Sequence, residues 1–316
     1  MENTLFLLLL LILPVILSAI QIIKRRQKTR NPPPPGPPGL PLIGNFHQLD
    51  ATPLHEYFLK LSKKYGPLIY LKLGSRPILV ANSSKMAEEI LKTQDTNFCS
   101  RPNLLAFKTL SYDGFDIALS PYSEYWREMR KICVLHLLSA KRVQSFAPIR
   151  EDEVSRMIQK ISVQAEKRSL VDLSERIVNL TSTIICRVAF GKRYEQGSGE
   201  SKHFEDMIEE FQSTLSGFYF TDYFPWIGSW IDKFTGKISR MEKIFKVWDS
   251  FYQQLIAEHL RPDWPRSKDG DVIDILLHLR EENSVSFNLP LDHIKAVLMV
   301  IYIYIYIYTS KCLFLE

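Results

Sequence analysis

The hydrophobic pattern opens with an uninterrupted apolar run, Thr4 to Ile23, which contains no charge. As a helix it would be about 30 Å long, which matches the hydrocarbon core of a bilayer. Five cations between Lys24 and Arg30 follow it, whereas only Glu2 precedes it. The positive-inside rule therefore predicts a transmembrane signal anchor at residues 1–23, with the rest of the chain in the cytosol. A cleaved signal peptide, the alternative, fits poorly because its cations would precede the run.

A proline-rich segment separates this run from the body of the chain. Residues 24–45 comprise the basic cluster and then a hinge, Pro32 to Asn45, in which prolines alternate with glycines. Proline fixes φ near −65° and lacks an N–H donor, so the hinge cannot be helical. We expect a stiff, polyproline-like strut with glycines at its bends.

Helical periodicity dominates residues 46–299, the predicted body of the protein. Apolar residues recur at helical spacing from Pro53 to Tyr65, and two β-rich runs, Leu68–Leu73 and Pro77–Ala81, predict a hairpin. Arg101 to Leu119 is typical of a loop. Further helices are predicted at about Ser84–Lys92, Pro121–Leu138, Pro148–Glu166, Asp172–Phe190, Ser201–Leu215, Ser239–Leu260, Asp271–Glu281 and from Leu291 onward. The fold class is therefore mainly α with a small β-sheet.

Residues 300–316 break this pattern with a strict alternation of isoleucine and tyrosine, from Ile301 to Tyr308. Periodicity alone predicts a strand. The alternation is also what repeated A and T bases encode, and the codon of Val300 begins with GT, the first bases of an intron. Our hypothesis is that this aberrant, low-complexity tail is translated intron.

Charge and cysteine content exclude several classes of function. The net charge of +5 equals the charge of the basic cluster, so the remainder is neutral and no nucleic-acid partner is expected. The four cysteines are widely spaced, without CxxC pairs, which argues against a disulfide framework or a zinc site. They are Cys99, Cys133, Cys186 and Cys312.

The order of motifs after the apolar run is specific. The proline hinge is followed by Lys64-Tyr-Gly-Pro67, Phe98-Cys-Ser-Arg-Pro102 and Tyr125-Trp-Arg-Glu-Met-Arg-Lys131. In this order the motifs resemble the amino-terminal portion of a plant microsomal cytochrome P450, over Met1 to about Met299. The resemblance implies the cytochrome P450 fold, here incomplete, with one amino-terminal transmembrane helix. It also implies haem (heme) as the cofactor.

Trp126 and Arg130 lie four residues apart and therefore share one face of a helix. In the family that this chain resembles, that face meets haem. The resemblance implies that Trp126 and Arg130, with Arg101 of the preceding motif, bind the haem propionates, for which a planar guanidinium is suited. The alternative is a core tryptophan beside a surface arginine that pairs with Glu124 or Glu128.

By the same resemblance, residues 107–117 form a loop over the substrate pocket and residues 215–224 its roof. An apolar and aromatic lining suits a hydrophobic ligand. Aromatic side chains there could equally belong to the core or to a patch that enters the bilayer. The residues expected to contact substrate are Phe107, Leu110, Phe115, Ile117, Leu215 and Phe218.

The axial ligand of the haem iron is not found in the sequence. In the family it is a cysteine within Phe-x-x-Gly-x-Arg-x-Cys-x-Gly, and none of the four cysteines has these neighbours. Because thiolate donation favours O–O cleavage, no catalytic or metal-ligating residue is assigned and this chain is expected to be inactive by itself. Two Glu-x-x-Arg pairs, at Glu124 and Glu153, match another family spacing but are expected to be chance pairs on solvent-facing helices.

Three hypotheses for function follow. In the first, the intact product is a monooxygenase that oxidises a lipophilic small molecule with O2 and electrons from NADPH-cytochrome P450 reductase. It would be a single-pass protein of the endoplasmic reticulum membrane, with its domain facing the cytosol. In the second, this chain is a non-enzymatic, membrane-anchored fragment from a pseudogene or a mis-spliced transcript. In the third, it is an unrelated membrane-tethered interaction protein.

Overall fold

The computed structural model describes residues 32–49, 52–194, 199–264, 270–282 and 289–312, which form two compact units that divide after Thr93. The predicted anchor at residues 1–23 and the basic cluster lie outside the described residues. Within the described part of the chain, no helix is both long and apolar enough to cross a bilayer.

The first unit contains the predicted hairpin. Strands β1 (Leu68–Leu73) and β2 (Arg76–Ala81) pair antiparallel, from Leu68 opposite Ala81 to Leu73 opposite Arg76. The hairpin is confirmed, with its second strand starting one residue earlier than predicted. Helix α1 (Leu54–Tyr65) precedes the sheet, and α2 (Ser84–Glu88) follows it and continues as a π-helical turn to Thr93.

The proline hinge lies against β1 instead of forming a free strut. The Tyr70 N–H donates to the Pro35 carbonyl at 3.0 Å, and the Lys72 N–H donates to Oδ1 of Asn45 at 2.8 Å. A Cβ on Gly36 would lie 1.9 Å from the Tyr70 carbonyl oxygen, so glycine permits a close backbone approach there. The hinge motif is therefore explained by strand contact as well as by stiffness.

Helices and the loops between them make up the described residues of the second unit, which contain no strand. A π-helical turn, Cys133–Leu137, follows α5. Its helices are α3 (Asp95–Phe98), α4 (Leu105–Leu110), α5 (Glu124–Ile132), α6 (Ala140–Ser145), α7 (Ala147–Glu166), α8 (Leu173–Phe190), α9 (Gly199–Leu215), α10 (Phe220–Tyr223), α11 (Gly228–Phe234), α12 (Lys237–His259), α13 (Val272–Glu281) and α14 (Leu291–Cys312). The mainly α class with a small sheet is confirmed.

Two boundaries near the predicted loop were wrong. The helix predicted to start at Pro121 starts at Glu124, because Ser123 is extended and its hydroxyl accepts from the Trp126 N–H at 3.2 Å. The loop predicted from Arg101 to Leu119 contains α4, whose backbone turns between Leu105 and Leu110.

The strand that alternation favours at residues 301–308 is also wrong, since α14 continues without a break to Cys312. Residues Ile294 to Met299, apart from Lys295, supply buried apolar side chains that hold the first part of this helix in the core. Extending an existing helix by one residue costs less than nucleating a new element. The helix that already exists before residue 301 therefore determines the conformation of the isoleucine–tyrosine repeat, although its two-residue pattern favours a strand.

The core of the second unit is formed mainly by α8, α9, α12, α13 and the first turns of α14. Aromatic side chains pack there edge to face or tilted, for example Phe190 against Phe251. Among its largest fully buried side chains are Trp248, Tyr252, Phe190, Ile208, Met241, Ile256 and Ile273.

Glu153 contradicts the expectation of a solvent-facing chance pair. Its side chain is 4% exposed and accepts from Nη1 of Arg187 at 2.6 Å and from Nε of Arg193 at 2.9 Å. Arg156, its expected partner, pairs instead with Asp152 at 3.0 Å. Glu153 therefore joins α7 to α8 from inside the unit, where a lone carboxylate would be costly.

A buried ion pair joins the ends of three helices. His259, the last residue of α12, donates through Nδ1 to the Leu255 carbonyl at 2.7 Å, and its Nε2 lies 2.8 Å from Oδ2 of Asp271. Burial disfavours the charged imidazole, but the hydrogen bond and charge of Asp271 outweigh burial and raise the pKa of His259. Asp271 also caps α13 through the Asp274 N–H at 2.9 Å. Gly191 ends α8 against it, where a Cβ would lie 2.5 Å from Oδ2 of Asp271.

This ion pair predicts a pH-dependent stability. The folded-state pKa of His259 lies above the ordinary value of 6.5, so its stabilisation is complete below that pH and is lost as pH rises through the folded-state pKa. His259→Gln should lower the free energy of unfolding by about 3 kcal/mol at acidic pH and by less at alkaline pH. Urea unfolding over a pH series measures this difference.

The matched control is His278→Gln, since the His278 side chain is 67% exposed. This variant should follow the pH dependence of the unsubstituted chain. Equal behaviour of the two variants would show that the buried pair contributes no stability.

Candidate haem and substrate site

Two of the residues predicted to bind haem carboxylates hold adjacent carbonyl groups of one loop, residues 111–120. Trp126, on α5, donates from Nε1 to the Ile117 carbonyl at 2.9 Å. Arg101 donates from Nε to the Ala118 carbonyl at 2.9 Å. A loop without a strand or helix partner needs such donors for its carbonyls. The structure therefore brings Trp126 and Arg101 together at this loop.

Arg130 lies one turn after Trp126 and stacks on it. The guanidinium carbon lies 5.4 Å from the indole centroid, within the range of a cation–π contact. The ion pair recorded for Glu128 runs to Lys131 at 3.9 Å. Among the described residues Arg130 makes this ring contact but no hydrogen bond or ion pair, and its guanidinium is exposed.

Asp116 fixes the shape of the same loop. Its Oδ1 accepts from the Ala118 N–H at 2.6 Å and from the Leu119 N–H at 2.5 Å. Burial raises the pKa of Asp116 to about 6, although these bonds and the nearby Arg101 charge favour the carboxylate. Asp116 was not among the residues predicted for this site. A local pattern could have indicated it, since an aspartate side chain commonly accepts from the backbone N–H two residues later in a turn.

Phe115, one of the predicted substrate residues, is held between α5 and α14. Its carbonyl accepts from the Tyr125 hydroxyl at 2.7 Å, and its ring stacks on His293 at a centroid distance of 4.1 Å. Burial raises the pKa of Tyr125 and lowers the pKa of His293. Tyr125 therefore stays a donor, and His293 favours its neutral form.

A buried lysine connects the loop to two helices. Lys295, on α14, is 5% exposed, and its Nζ lies 2.7 Å from Oδ1 of Asp249 on α12. The same oxygen accepts from the Tyr112 hydroxyl at 2.9 Å. These residues are separated by 46 and 137 positions, so no local sequence pattern could have revealed the group.

The other predicted substrate residues differ in their surroundings. Leu110 lies in the hydrophobic core, and Ile117 and Leu215 are half-buried against it. Phe107 is half-buried on α4, whereas Phe218 is exposed and stacks on a neighbouring ring. Because Leu110 is buried in the core, its side chain is surrounded by other protein side chains in this structure.

The two segments predicted to surround the substrate lie side by side. Helix α4 packs against α9, the helix that ends at Leu215. The Leu105 N–H, at the start of α4, donates to Oδ1 of Asp222 on α10 at 2.8 Å. The loop before residue 117 and the segment after residue 215 thus share one side of this unit.

The side chains of this site fit the carboxylate groups of a haem but do not provide a ligand for its iron. Arg101 bonds the Ala118 carbonyl and Arg130 stacks on Trp126, which bonds the Ile117 carbonyl, and guanidinium groups suit carboxylates. A thiolate for iron is not provided by the described cysteines. Cys133 is buried, which raises its pKa to about 12 and keeps it a thiol, and the Cys99 thiol donates to the Thr96 carbonyl.

Comparison with solved structures identifies the class of fold. A zebrafish cytochrome P450 with abiraterone superposes with a TM-score of 0.63 at 21% identity, over 83% of this chain and 57% of that chain. A second zebrafish structure, with progesterone, gives a TM-score of 0.59 at 22% identity, over 78% of this chain and 54% of that chain. At this identity the likeness shows the fold, which is mainly helical.

Sequence comparison then gives the family. The profile of the cytochrome P450 family matches residues 34–303, and the chain therefore belongs to that family. Haem is the cofactor of this family. The match contradicts the hypothesis of an unrelated membrane-tethered interaction protein.

Similar proteins come from several plants. "5-OH-xanthotoxin synthase" of Ammi majus is 46% identical over 84% of this chain and 52% of its own length. "6,7,8-trihydroxycoumarin synthase" of Pastinaca sativa is 46% identical over 88% and 54%. "Strychnine-11-hydroxylase" of Strychnos nux-vomica is 42% identical over 84% and 52%. The chain thus spans about half the length of these curated relatives.

The hydrogen bond from Trp126 to the loop leads to a prediction. Trp126→Phe keeps an aromatic ring but removes the donor to the Ile117 carbonyl, which should lower the free energy of unfolding by about 1–2 kcal/mol. The amides of Ala118 and Leu119 should exchange roughly tenfold faster with deuterium, because the loop opens more often. Hydrogen–deuterium exchange by mass spectrometry measures this rate.

Tyr122→Phe is the control, since the exposed Tyr122 ring lies 5.6 Å from Trp126 and this change leaves the indole bond intact. Exchange in the loop should not change in this variant. If Trp126→Phe exchanges no faster than Tyr122→Phe, the indole does not hold the loop.

Proposed function

We propose that this chain is the amino-terminal part of a haem monooxygenase that hydroxylates a lipophilic small molecule in plant specialised metabolism. The reaction would use O2 and electrons from NADPH-cytochrome P450 reductase. The observation that carries the proposal is the pair of guanidinium groups, Arg101 and Arg130, beside a loop that Trp126 and Asp116 hold in shape. This arrangement suits the two carboxylates of a haem.

Each residue would have a distinct task in the intact enzyme. Arg130 would neutralise a haem carboxylate, while Trp126 supports its guanidinium and the loop. Arg101 would bind a haem carboxylate through the N–H groups that do not bond the Cys99 and Ala118 carbonyls. Haem with a thiolate ligand supplies O2 activation. The protein supplies orientation and excludes water.

The proposed substrate is an aromatic or polycyclic apolar molecule. Phe107, Phe115, Ile117, Leu215 and Phe218, with Leu110 beneath them in the core, offer apolar contact area. Relatives named as synthases of 5-OH-xanthotoxin and 6,7,8-trihydroxycoumarin and as strychnine-11-hydroxylase support this class. Flat aromatic ligands stack well on exposed phenylalanine rings.

We further propose that the 316 residues by themselves do not carry out oxygenation. None of the four cysteines has the neighbours of the thiolate loop, and Cys133, buried with a raised pKa, is unsuited to ligate iron. Residues 300–316 would be translated intron. The alternative function is then that of a membrane-anchored fragment without enzymatic activity.

The reduced carbon monoxide spectrum tests this proposal. The 316-residue chain should show no red-shifted, thiolate-type Soret band, because that band needs the cysteine ligand. The chain in which residues 300–316 are replaced by the spliced downstream coding sequence, through the thiolate loop, should show it. In the extended chain, Arg130→Leu should weaken haem retention about tenfold by leaving one carboxylate unpaired.

Lys131→Leu is the matched control, since Lys131 is an exposed cation one residue away whose recorded ion pair is with Glu128. It should retain haem. A thiolate-type band from the 316-residue chain would refute its proposed inactivity. Failure to find Phe-x-x-Gly-x-Arg-x-Cys in the downstream reading frame would remove the proposed monooxygenase function.

We propose that the protein sits on the endoplasmic reticulum membrane, facing the cytosol, through the anchor at residues 1–23 and an aromatic patch at α11. The patch comprises Trp226, Trp230 and Phe234, with exposures of 90%, 71% and 91%. Trp230 and Phe234 lie four residues apart on one face of α11, and Trp226 lies in the turn that precedes the helix. Tryptophan and phenylalanine at this spacing favour the membrane interface.

Asp232 fixes the orientation of α11, so that its aromatic face points to solvent. Its carboxylate is fully buried and accepts from the Phe220 N–H at 3.1 Å and from the Thr221 N–H at 2.8 Å. A Cβ on Gly228 would lie 2.3 Å from the Phe220 carbonyl oxygen, so glycine allows the helix to approach that closely. The opposite face of α11 is therefore fixed to the protein, which supports a membrane role for the aromatic one.

Quenching by brominated phospholipid tests the patch independently of the anchor. In vesicles with brominated acyl chains, Trp226 and Trp230 should supply most of the quenched fluorescence, because Trp248 is fully buried in the core. Trp226→Phe/Trp230→Phe keeps the patch apolar and should remove most of the quenching. Trp126→Phe serves as the control and should retain it. Unchanged quenching in the double variant would contradict membrane contact by α11.

A further inference from the structure

The loop of the candidate site begins with a turn whose backbone is unusual for the residues in it. Tyr112, Asp113 and Gly114 all have positive φ, of 53°, 61° and 88°. Glycine adopts this left-handed region freely, whereas a bulky residue such as tyrosine rarely does, because its Cβ approaches the following carbonyl oxygen. The Gly114 and Phe115 amides donate to the Ser111 carbonyl at 3.2 and 3.0 Å, which accounts for part of the turn. A left-handed tyrosine persists only where the surrounding structure also holds it.

The side chain of Tyr112 is held from outside the loop. It is 8% exposed, its ring meets that of Phe245 edge to face at 4.9 Å, and its hydroxyl donates to Oδ1 of Asp249 at 2.9 Å. Burial and the Asp249 charge raise the pKa of Tyr112, so the hydroxyl remains a donor. Phe245 and Asp249 lie four residues apart, on one face of α12. Helix α12 therefore supplies a ring and a carboxylate to this side chain.

Lys295 of α14 fixes the direction of the Asp249 carboxylate. The Asp249 side chain is 38% exposed, so contact with water alone would leave it several orientations. Nζ of the buried Lys295 lies 2.7 Å from the same Oδ1 that accepts from Tyr112, 3.5 Å from Oδ1 of Asp292 and 5.9 Å from the centre of the Tyr112 ring. A buried ammonium requires a carboxylate close by. The loop, α12 and α14 therefore meet at one oxygen atom.

We propose that Tyr112, Asp249 and Lys295, the loop triad, position the loop and thereby set how closely an apolar substrate fits beneath it. Phe115 follows Tyr112 by three residues and Ile117 by five, so a rotation of the turn would move both of these predicted substrate contacts. The triad touches neither haem nor substrate and acts only through the loop. Its role in substrate fit rests on the proposed function, whereas its role in holding the loop does not.

Hydrogen–deuterium exchange on the full 316-residue chain in phosphatidylcholine nanodiscs tests the role in the loop. Tyr112→Phe keeps the ring and removes only the hydroxyl, and Lys295→Met removes the charge from a side chain of similar length. Each should speed exchange of the Asp113, Gly114 and Phe115 amides roughly tenfold, because a hydrogen bond of the triad is lost. Exchange within the core helix α13 should not change.

Tyr122→Phe and Lys246→Met are the matched controls, since Tyr122 is exposed outside the triad and Lys246 is an exposed cation on α12. Both should exchange as the unsubstituted chain does. If Tyr112→Phe speeds the loop and α13 equally, the triad only stabilises the unit. If it speeds neither, the hydroxyl does not hold the loop. Either result overturns the proposal.

Titration with coumarin, followed by the shift of the Soret band, tests the role in substrate fit. It uses the haem-loaded chain that carries the spliced downstream coding sequence. Tyr112→Phe should raise the coumarin concentration at half-maximal shift about fivefold, while the reduced carbon monoxide band keeps its height. Unchanged coumarin binding would overturn the role in substrate fit. Absence of the carbon monoxide band from the unsubstituted extended chain would instead refute the proposed monooxygenase function, and the exchange rates would still decide the role in the loop.

Discussion

The loop at residues 111–120 depends on one constraint, which is that its carbonyl groups need donors that no strand or helix provides. Side chains meet this need at three positions. Tyr125 binds the carbonyl of Phe115, and Trp126 and Arg101 bind the next ones, of Ile117 and Ala118. The motif residues that resemble a haem-binding set are therefore also the residues that shape the loop. A substitution in the motif would disturb the loop and, through it, the proposed haem contacts.

Several buried charges of the second unit form ion pairs that connect its helices. Glu153 bonds Arg187 across α7 and α8, His259 bonds Asp271 between α12 and α13, and Lys295 bonds Asp249 between α14 and α12. Breaking such a pair costs about 3–5 kcal/mol, whereas replacing both partners with apolar residues is often neutral. These pairs therefore determine how the helices align more than how stable the unit is.

Local patterns predicted the elements of this fold better than their ends or their partners. The hairpin and the helices at Leu54–Tyr65 and Leu173–Phe190 follow directly from periodicity and capping residues. The start of α5 did not, because both Ser120 and Ser123 can cap a helix and only the three-dimensional course of the loop selects between them. The isoleucine–tyrosine tail was misjudged for a related reason, since the helix already formed before it decides its conformation.

For the candidate site, the sequence predicted Trp126, Arg130 and Arg101 as haem-binding residues but did not predict the groups that position them. Asp116 carries a local signal, whereas Lys295 reaches Asp249 only through tertiary packing. Binding a cofactor and making it reactive also depend on different side chains. Guanidinium groups can neutralise carboxylates, but electron donation to iron requires a thiolate, which buried Cys133 cannot offer at neutral pH. The residues described here therefore account for how a cofactor could be oriented, and the chemistry of oxygen needs a ligand in addition to them.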